Sequence, residues 1–213
     1  MMELFSYHRS SASYRVRIVL NMKEVDCRII PVDLLKSEEK ADAYLEMNPQ
    51  GLVPTMRLED GSTLAQSMAI IEYLEERFPV PPLLADDPVQ RAQQRGMAAL
   101  IASDIHPLNN LRVLNYLQKR LAVSEQEKRA WYAHWITQGF LALEPQLQAA
   151  PFACGGRVSL VDVLLVPQVF NALRFEVTLE NFPRIQSVYT ACNQLDAFVR
   201  AAPEKQLTHS NSS

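Results

Sequence analysis

Cysteine is scarce in this chain and follows no pattern. The 213 residues contain three, Cys27, Cys154 and Cys192, far apart and without a CxxC pair or Cys/His ligand spacing. That excludes a disulfide framework and a zinc site, and it leaves the three as packing residues. An excess of positive charge is also missing. A net charge of −3 argues against a general nucleic-acid binder, so any anionic ligand must be met locally. No apolar run reaches the roughly 18 residues of a membrane span, and "MMELFSYHRS" lacks the basic-then-apolar order of a secretory signal. The expectation is a soluble, cytoplasmic protein with neither a membrane nor a nucleic acid as partner. What is present is apolar: 48% hydrophobic against 21% charged residues, enough for two modest cores, tightly joined.

The pattern changes near residue 80. Before it, "MELFSYH", "CRIIPVDL", "PTMRLED" and "STLA" read as strands, while Ser13–Lys23, Glu38–Met47 and Ser67–Phe78 read as helices. Pro79, Pro81, Pro82 and Pro88 punctuate "PVPPLLADDP", which cannot continue a helix. Beyond it strand signals nearly vanish. Apolar residues recur at three- and four-residue spacing through "PVQRAQQRGMAALIASDI", "EQEKRAWYAHWITQGFLALEPQL", "SLVDVLLVPQVFNAL" and "PRIQSVYTACNQLDAFVRAA". The expected fold class is therefore α/β plus all-α: a β-α-β-α-β-β-α domain over 1–79, a linker over 80–88, a helical domain over 89–202 and a flexible polar tail over 203–213.

The stretch "RSSASYRVRIVLNMK", Arg9 to Lys23, crowds serines at the start of an apparently amphipathic helix. One N-cap serine suffices to satisfy an orphan N–H. The start of a helix also favours an anion or thiolate, to which Ser10, Ser11 or Ser13 can add a hydrogen bond. Thioredoxin-like domains place a CxxC at such a strand-to-helix turn, whereas this chain has Ser10, Ser11, Ala12 and Ser13. A reactive thiol would have to arrive with a ligand. Plain capping is the alternative.

Three further stretches carry chemistry. In "NPQGLVPTM", Pro54 opens a strand; base rates favour a trans bond before it, while a cis bond would turn the Val53 backbone outward to pair with a peptide-like ligand. In "AQSMAIIEYLEERF", Ser67 suits an N-cap, Glu72, Glu75 and Glu76 suit a wet face, and Gln66 with Ser67 can hold a carboxylate. In "ASDIHPLNNLRVLNYL", the spacing lets His106 share a helix face with Asn110, and Asn109 with Arg112, unless this is simply a polar surface helix bent by Pro107.

Taken in order, "RSSASYRVRIVL", "NPQGLVPTM", "QSMAIIEYLEERFP", "DIHPLNNLRVL" and "LVPQVFNALRFEV" resemble the zeta-class glutathione transferases, from residue 3 to about 201. Within that class the chain is similar to the bacterial maleylacetoacetate and maleylpyruvate isomerases. The resemblance implies a thioredoxin-like glutathione-binding domain, a helical substrate domain, a homodimer, and a cis bond before Pro54. It implies glutathione as cofactor, with Gln66 and Ser67 on the γ-glutamyl carboxylate, Val53 on the cysteinyl backbone and Gln50 along the tripeptide. His106, Asn110 and Arg112 would reach its other end, some of them from a partner subunit. Ser10 or Ser11 would activate the thiol, and Arg9 and Arg174 would clamp a small diacid. The implied reaction adds a thiolate to a cis double bond, rotates the resulting single bond and expels the thiolate, so glutathione returns unchanged. A general transferase acting on small electrophiles and a non-catalytic glutathione-binding protein are the alternatives. Two departures stand out: Ala12 replaces the family's Cys, Ser or Thr, and "AAPEKQLTH" replaces its "HPxNQPD" run.

Overall fold

The computed structural model describes residues 1–206. Residues 207–213, part of the tail expected to be flexible, lie outside the described residues. Before them, Pro203–Lys205 form a 3-10 turn with Pro203 buried.

By contacts the chain divides into two units, Met1–Pro82 with Gln194–Ser213, and Leu83–Asn193. The proline-rich connection is split between them. In the first unit the Lys23 ammonium donates to the carbonyls of Phe78 at 2.6 Å and Pro81 at 3.0 Å. In the second, the Leu83 carbonyl accepts from the Leu160 N–H at 2.8 Å.

The first unit contains the strand-and-helix order read from the sequence: β1 (Met2–Ser6), α1 (Ser11–Met22), β2 (Cys27–Pro31), α2 (Asp42–Met47), β3 (Thr55–Arg57), β4 (Thr63–Ala65) and α3 (Ser67–Arg77). The strands form a mixed sheet in the order β2-β1-β3-β4. β1 runs parallel to β2 and antiparallel to β3, with Leu4 opposite Ile29 and Met56. Side chains alternate across the sheet, so Leu4 and Phe5 serve opposite faces. Phe5 packs with Val32 and Tyr44, flanked by Ile30, Leu34, Met47 and Val53.

Two expectations about helix faces fail here. α1 is buried continuously from Ser11 to Leu20, Arg15 and Arg17 included, because α3 and α9 (Asp196–Ala201) both pack against it. It is an interior helix, not an amphipathic one. On α3, Glu75 leaves the wet face to pair with the buried Lys23 ammonium at 2.7 Å.

α9 belongs to the first unit by its hydrogen bonds. Asn21 donates to the Ala197 carbonyl at 2.9 Å, Tyr14 to Phe198 at 3.4 Å and Arg17 to Ala201 at 2.9 Å. Tyr14 and Arg17 thereby satisfy carbonyls that the C-terminus of α9 leaves open.

The second unit is helical: α4 (Pro88–Ala99), α5 (Leu111–Leu121), α6 (Glu125–Leu143), α7 (Leu160–Arg174) and α8 (Pro183–Cys192). α7 packs against α4 and α8, and nearly all of it is buried. It starts at a capping box. Asp162, fully buried, accepts from the Ser159 hydroxyl at 2.6 Å, the Ser159 N–H at 2.8 Å and the Ala153 N–H at 2.7 Å. Burial pushes its carboxyl upward and these donors pull it back. No helix among the described residues is long and apolar enough to cross a membrane.

Candidate functional site

β1 ends at Ser6 and α1 begins at Ser11, so the serine turn emerges at the end of the central strand. Ser10 is the N-cap, its hydroxyl accepting from the Ser13 N–H at 3.2 Å. Ser11 and Ala12 open the helix and are buried; Ser13 is fully buried, and its Oγ has no partner among the described residues. The turn is held from beneath by Arg17, which donates to the Ser6 hydroxyl and to the His8 carbonyl, each at 3.0 Å. Arg9, between His8 and Ser10, is exposed. The His8 ring lies 4.4 Å from that of Tyr7, tilted by 57°, and burial, then the charges of Arg9 and Arg17, holds its imidazole below the usual histidine value.

The loop from Asn48 to Pro54 is fastened by residues that carried no signal in the sequence. Asn48 donates to the Leu52 carbonyl at 2.8 Å and to Thr55 Oγ1 at 3.0 Å; Tyr44 donates to the same carbonyl at 2.8 Å, and Lys40 to that of Gly51 at 2.8 Å. Gly51 is required: its φ is +57°, and a Cβ would lie 2.7 Å from Lys40 Nζ and 2.9 Å from the Glu39 carbonyl oxygen. The Val53–Pro54 bond is cis. The loop brings Gln50 to Gln66, whose amide nitrogen donates to Gln50 Oε1 at 2.6 Å.

Gln66, not Ser67, occupies the N-cap position of α3, with φ +72° and no side-chain cap bond. A non-glycine residue at that φ is strained, which occurs where a ligand or fold demands it. Ser67 is therefore the first residue of the helix proper, buried, and its hydroxyl accepts from Arg15 Nη1 at 3.4 Å. The α3 N–H groups and the Ser67 hydroxyl thus make a helix start without a side-chain cap, the chemistry that suits an anion.

The second unit holds the remaining candidates. A π-type turn at Leu100–Ile105 and a 3-10 turn at His106–Asn109 precede Asn110, which is extended and caps α5 by accepting from the Arg112 N–H at 3.1 Å. His106 and Asn110 thus lie on different segments, and helical four-residue spacing does not apply to them. Asn109 is buried with both amide atoms unpartnered among the described residues, and Arg112 is exposed. Gly139 of α6 lets the π-type turn approach; a Cβ there would meet Ile105 Cγ1 at 2.3 Å. Arg174 ends α7, exposed, with its guanidinium 5.0 Å from the Phe175 ring centroid.

Among the described residues no group of acidic, His or Cys side chains is placed to hold a metal ion. The first unit instead offers hydroxyls, amides, two helix N-termini and guanidinium groups, a set suited to a peptide-like anion.

Residues 9–77 match the model of the glutathione S-transferase N-terminal domain. The chain is 46% identical to the maleylacetoacetate isomerase of Pseudomonas aeruginosa over 207 residues, 96% of this chain and 97% of that one. A solved holo structure of a maleylpyruvate isomerase, a bacterial glutathione S-transferase of the zeta class, superposes with a TM-score of 0.92 at 43% identity, covering 99% of this chain and 100% of the other. The maleylacetoacetate isomerase of Anaeromyxobacter dehalogenans, solved with glutathione in its active site, gives a TM-score of 0.87 at 39% identity, covering 97% and 96%. The chain belongs to the zeta class of the glutathione transferases.

Proposed function

We propose that this chain is a glutathione-dependent isomerase that converts a maleyl diacid, maleylacetoacetate or maleylpyruvate, into its fumaryl isomer. The observation that supports the reading is a serine-lined helix start that holds no thiol of its own: Ser10, Ser11, Ala12 and Ser13 fill the turn. Cys27 lies in β2, and Cys154 and Cys192 lie in the other unit. Glutathione, when bound, supplies the thiol, which adds reversibly across the cis double bond, permits rotation, and is recovered.

The chain's residues fit that cofactor. The Ser10 hydroxyl already accepts a bond from Ser13, so its own proton is directed to another acceptor, and the first N–H groups of α1 add their partial positive charge. Ser10 or Ser11 lowers the thiol pKa. Gln66 and Ser67 hold the γ-glutamyl carboxylate at the uncapped start of α3, Val53 pairs with the cysteinyl backbone, and Gln50, fixed by Gln66, lies along the tripeptide. The buried guanidinium of Arg15 behind Ser67, with Nε and Nη2 unpartnered among the described residues, supports an anion there. His106, Asn110 and Arg112 bind the far end of the tripeptide, some of them from a partner subunit.

Arg9 and Arg174 recognise the diacid. Both are exposed, and guanidinium groups bind carboxylates bidentately in a way lysine does not. The working form is a homodimer, supported by exposed Val89, Leu111 and Tyr116 on α4 and α5; a sedimenting species of 24.1 kDa at micromolar concentration would contradict it. The location is cytoplasmic, supported by three cysteines that remain free.

Arg174→Met tests the reading. It should lower kcat/KM for maleylpyruvate or maleylacetoacetate about 100-fold or more, while conjugation of a neutral chloronitrobenzene changes much less. Equal losses on both would assign Arg174 to the fold and favour a general transferase.

A further inference from the structure

The zeta-type motif carries two arginines, Arg15 and Arg17, to which the reaction gives no task. Both are buried, at 1% and 3% exposure, yet their surroundings differ. Arg17 spends its fork on three acceptors, the Ala201 and His8 carbonyls and the Ser6 hydroxyl. Arg15 has one partner, Ser67 Oγ, and its Nε and Nη2 have none among the described residues. An interior cation without a carboxylate or a full set of acceptors is costly to keep. It lies against the start of a helix with no acidic residue in its first turn and no side-chain cap. Three features thus converge on one point: open helix N–H groups, an under-satisfied guanidinium, and a hydroxyl between them.

We propose that Arg15 is the buried counter-charge that primes Ser67, a positioning residue for the α-carboxylate of glutathione's γ-glutamyl group; this rests on reading Ser67 as that carboxylate's partner. A serine hydroxyl has one proton and two lone pairs. With a lone pair taken by Arg15 Nη1, the proton points away from the arginine, toward the open helix start. Serine is thereby fixed as a donor, and an anion is its natural acceptor. Burial pulls the Arg15 guanidinium down to about 9, so it is still charged at neutral pH, and its field acts across a poorly screened interior. Arg15 itself does not touch the ligand. The carboxylate offsets its charge from the far side of Ser67.

Calorimetry on the full chain, using glutathione and γ-aminobutyryl-cysteinylglycine, which lacks only that carboxylate, separates the possibilities. Arg15→Met should weaken glutathione about tenfold or more and the analogue less than about twofold, collapsing the preference between them. Arg15→Lys keeps charge without the planar fork and should keep part of the preference; it carries the same comparison if the methionine variant does not fold. A preference lowered by Ser67→Ala but untouched in the Arg15 variants, or equal losses on both ligands, overturns the proposal alone. A preference that Ser67→Ala leaves unchanged overturns the reading of Ser67 beneath it.

Discussion

Asp162 in the helical unit and Arg15 in the sheet-bearing unit are both sealed from solvent, at 0% and 1% exposure, yet only Asp162 is surrounded by partners. Two backbone N–H groups, a serine hydroxyl and the Cys192 thiol converge on its carboxylate. Arg15 has a single long hydrogen bond. The difference separates two uses of an interior charge. A charge whose every direction is answered by the fold organises the chain, whereas one left partly unanswered is waiting for something the fold does not contain. Arg17, two residues from Arg15 on the same helix, falls with Asp162.

The largest expected effect is on Asp162. Asp162→Ala strands the N–H groups of Ala153 and Ser159 in the interior, and denaturant unfolding should show a loss of about 3 kcal/mol or more. Next, Arg17→Met should cost about 2–3 kcal/mol by the same measurement, since it strips partners from two carbonyls and a hydroxyl, whereas Arg15→Met should stay within about 1 kcal/mol of the parent. If the two arginine variants destabilise alike, the contrast between answered and unanswered charge is wrong.

The smallest effect concerns His8, the titratable neighbour of Arg17. Its folded value lies below 6.5, so the unfolded chain takes up the proton more readily. The stability His8 contributes is present above pH 6.5 and is lost as pH falls through that value toward its lowered one. His8→Phe should flatten that part of the acid limb of unfolding measured between pH 7 and pH 5. An unchanged limb would remove burial and the two guanidinium charges as the cause.

The order of strands and helices was legible because local pattern sets it, as in the alternation of "MELFSYH" and the prolines that end α3. The roles of Ser10 and Gln66 as neighbours of a helix start were legible for the same reason. Arg15 was not. An arginine within "SYRVRIVL" reads as the polar side of a helix, and its burial depends on α3 and α9, the latter about 180 positions along the chain. Glu75 was misjudged similarly, because its partner Lys23 lies at the C-cap of another helix, α1. The props of the Asn48–Pro54 loop, Lys40 and Tyr44, are ordinary helix-region residues until the loop folds back over them. The split of α5 from His106 at Asn110 follows from its capping bond, which periodicity averages away.

The return of α9 to α1 bears on how the protein is made. Tyr14, Arg17 and Asn21 leave the ribosome well before the carbonyls that complete their bonding, those of Phe198, Ala201 and Ala197, which are synthesised 176 to 184 residues later. The first unit therefore cannot finish folding as its N-terminal residues appear, although N-terminal domains commonly do so during synthesis. Nor can it be excised at Pro82 with its interior intact. A nascent chain shorter than about 201 residues holds a buried guanidinium short of an acceptor, which makes the unit's completion a checkpoint on the whole helical domain having been translated.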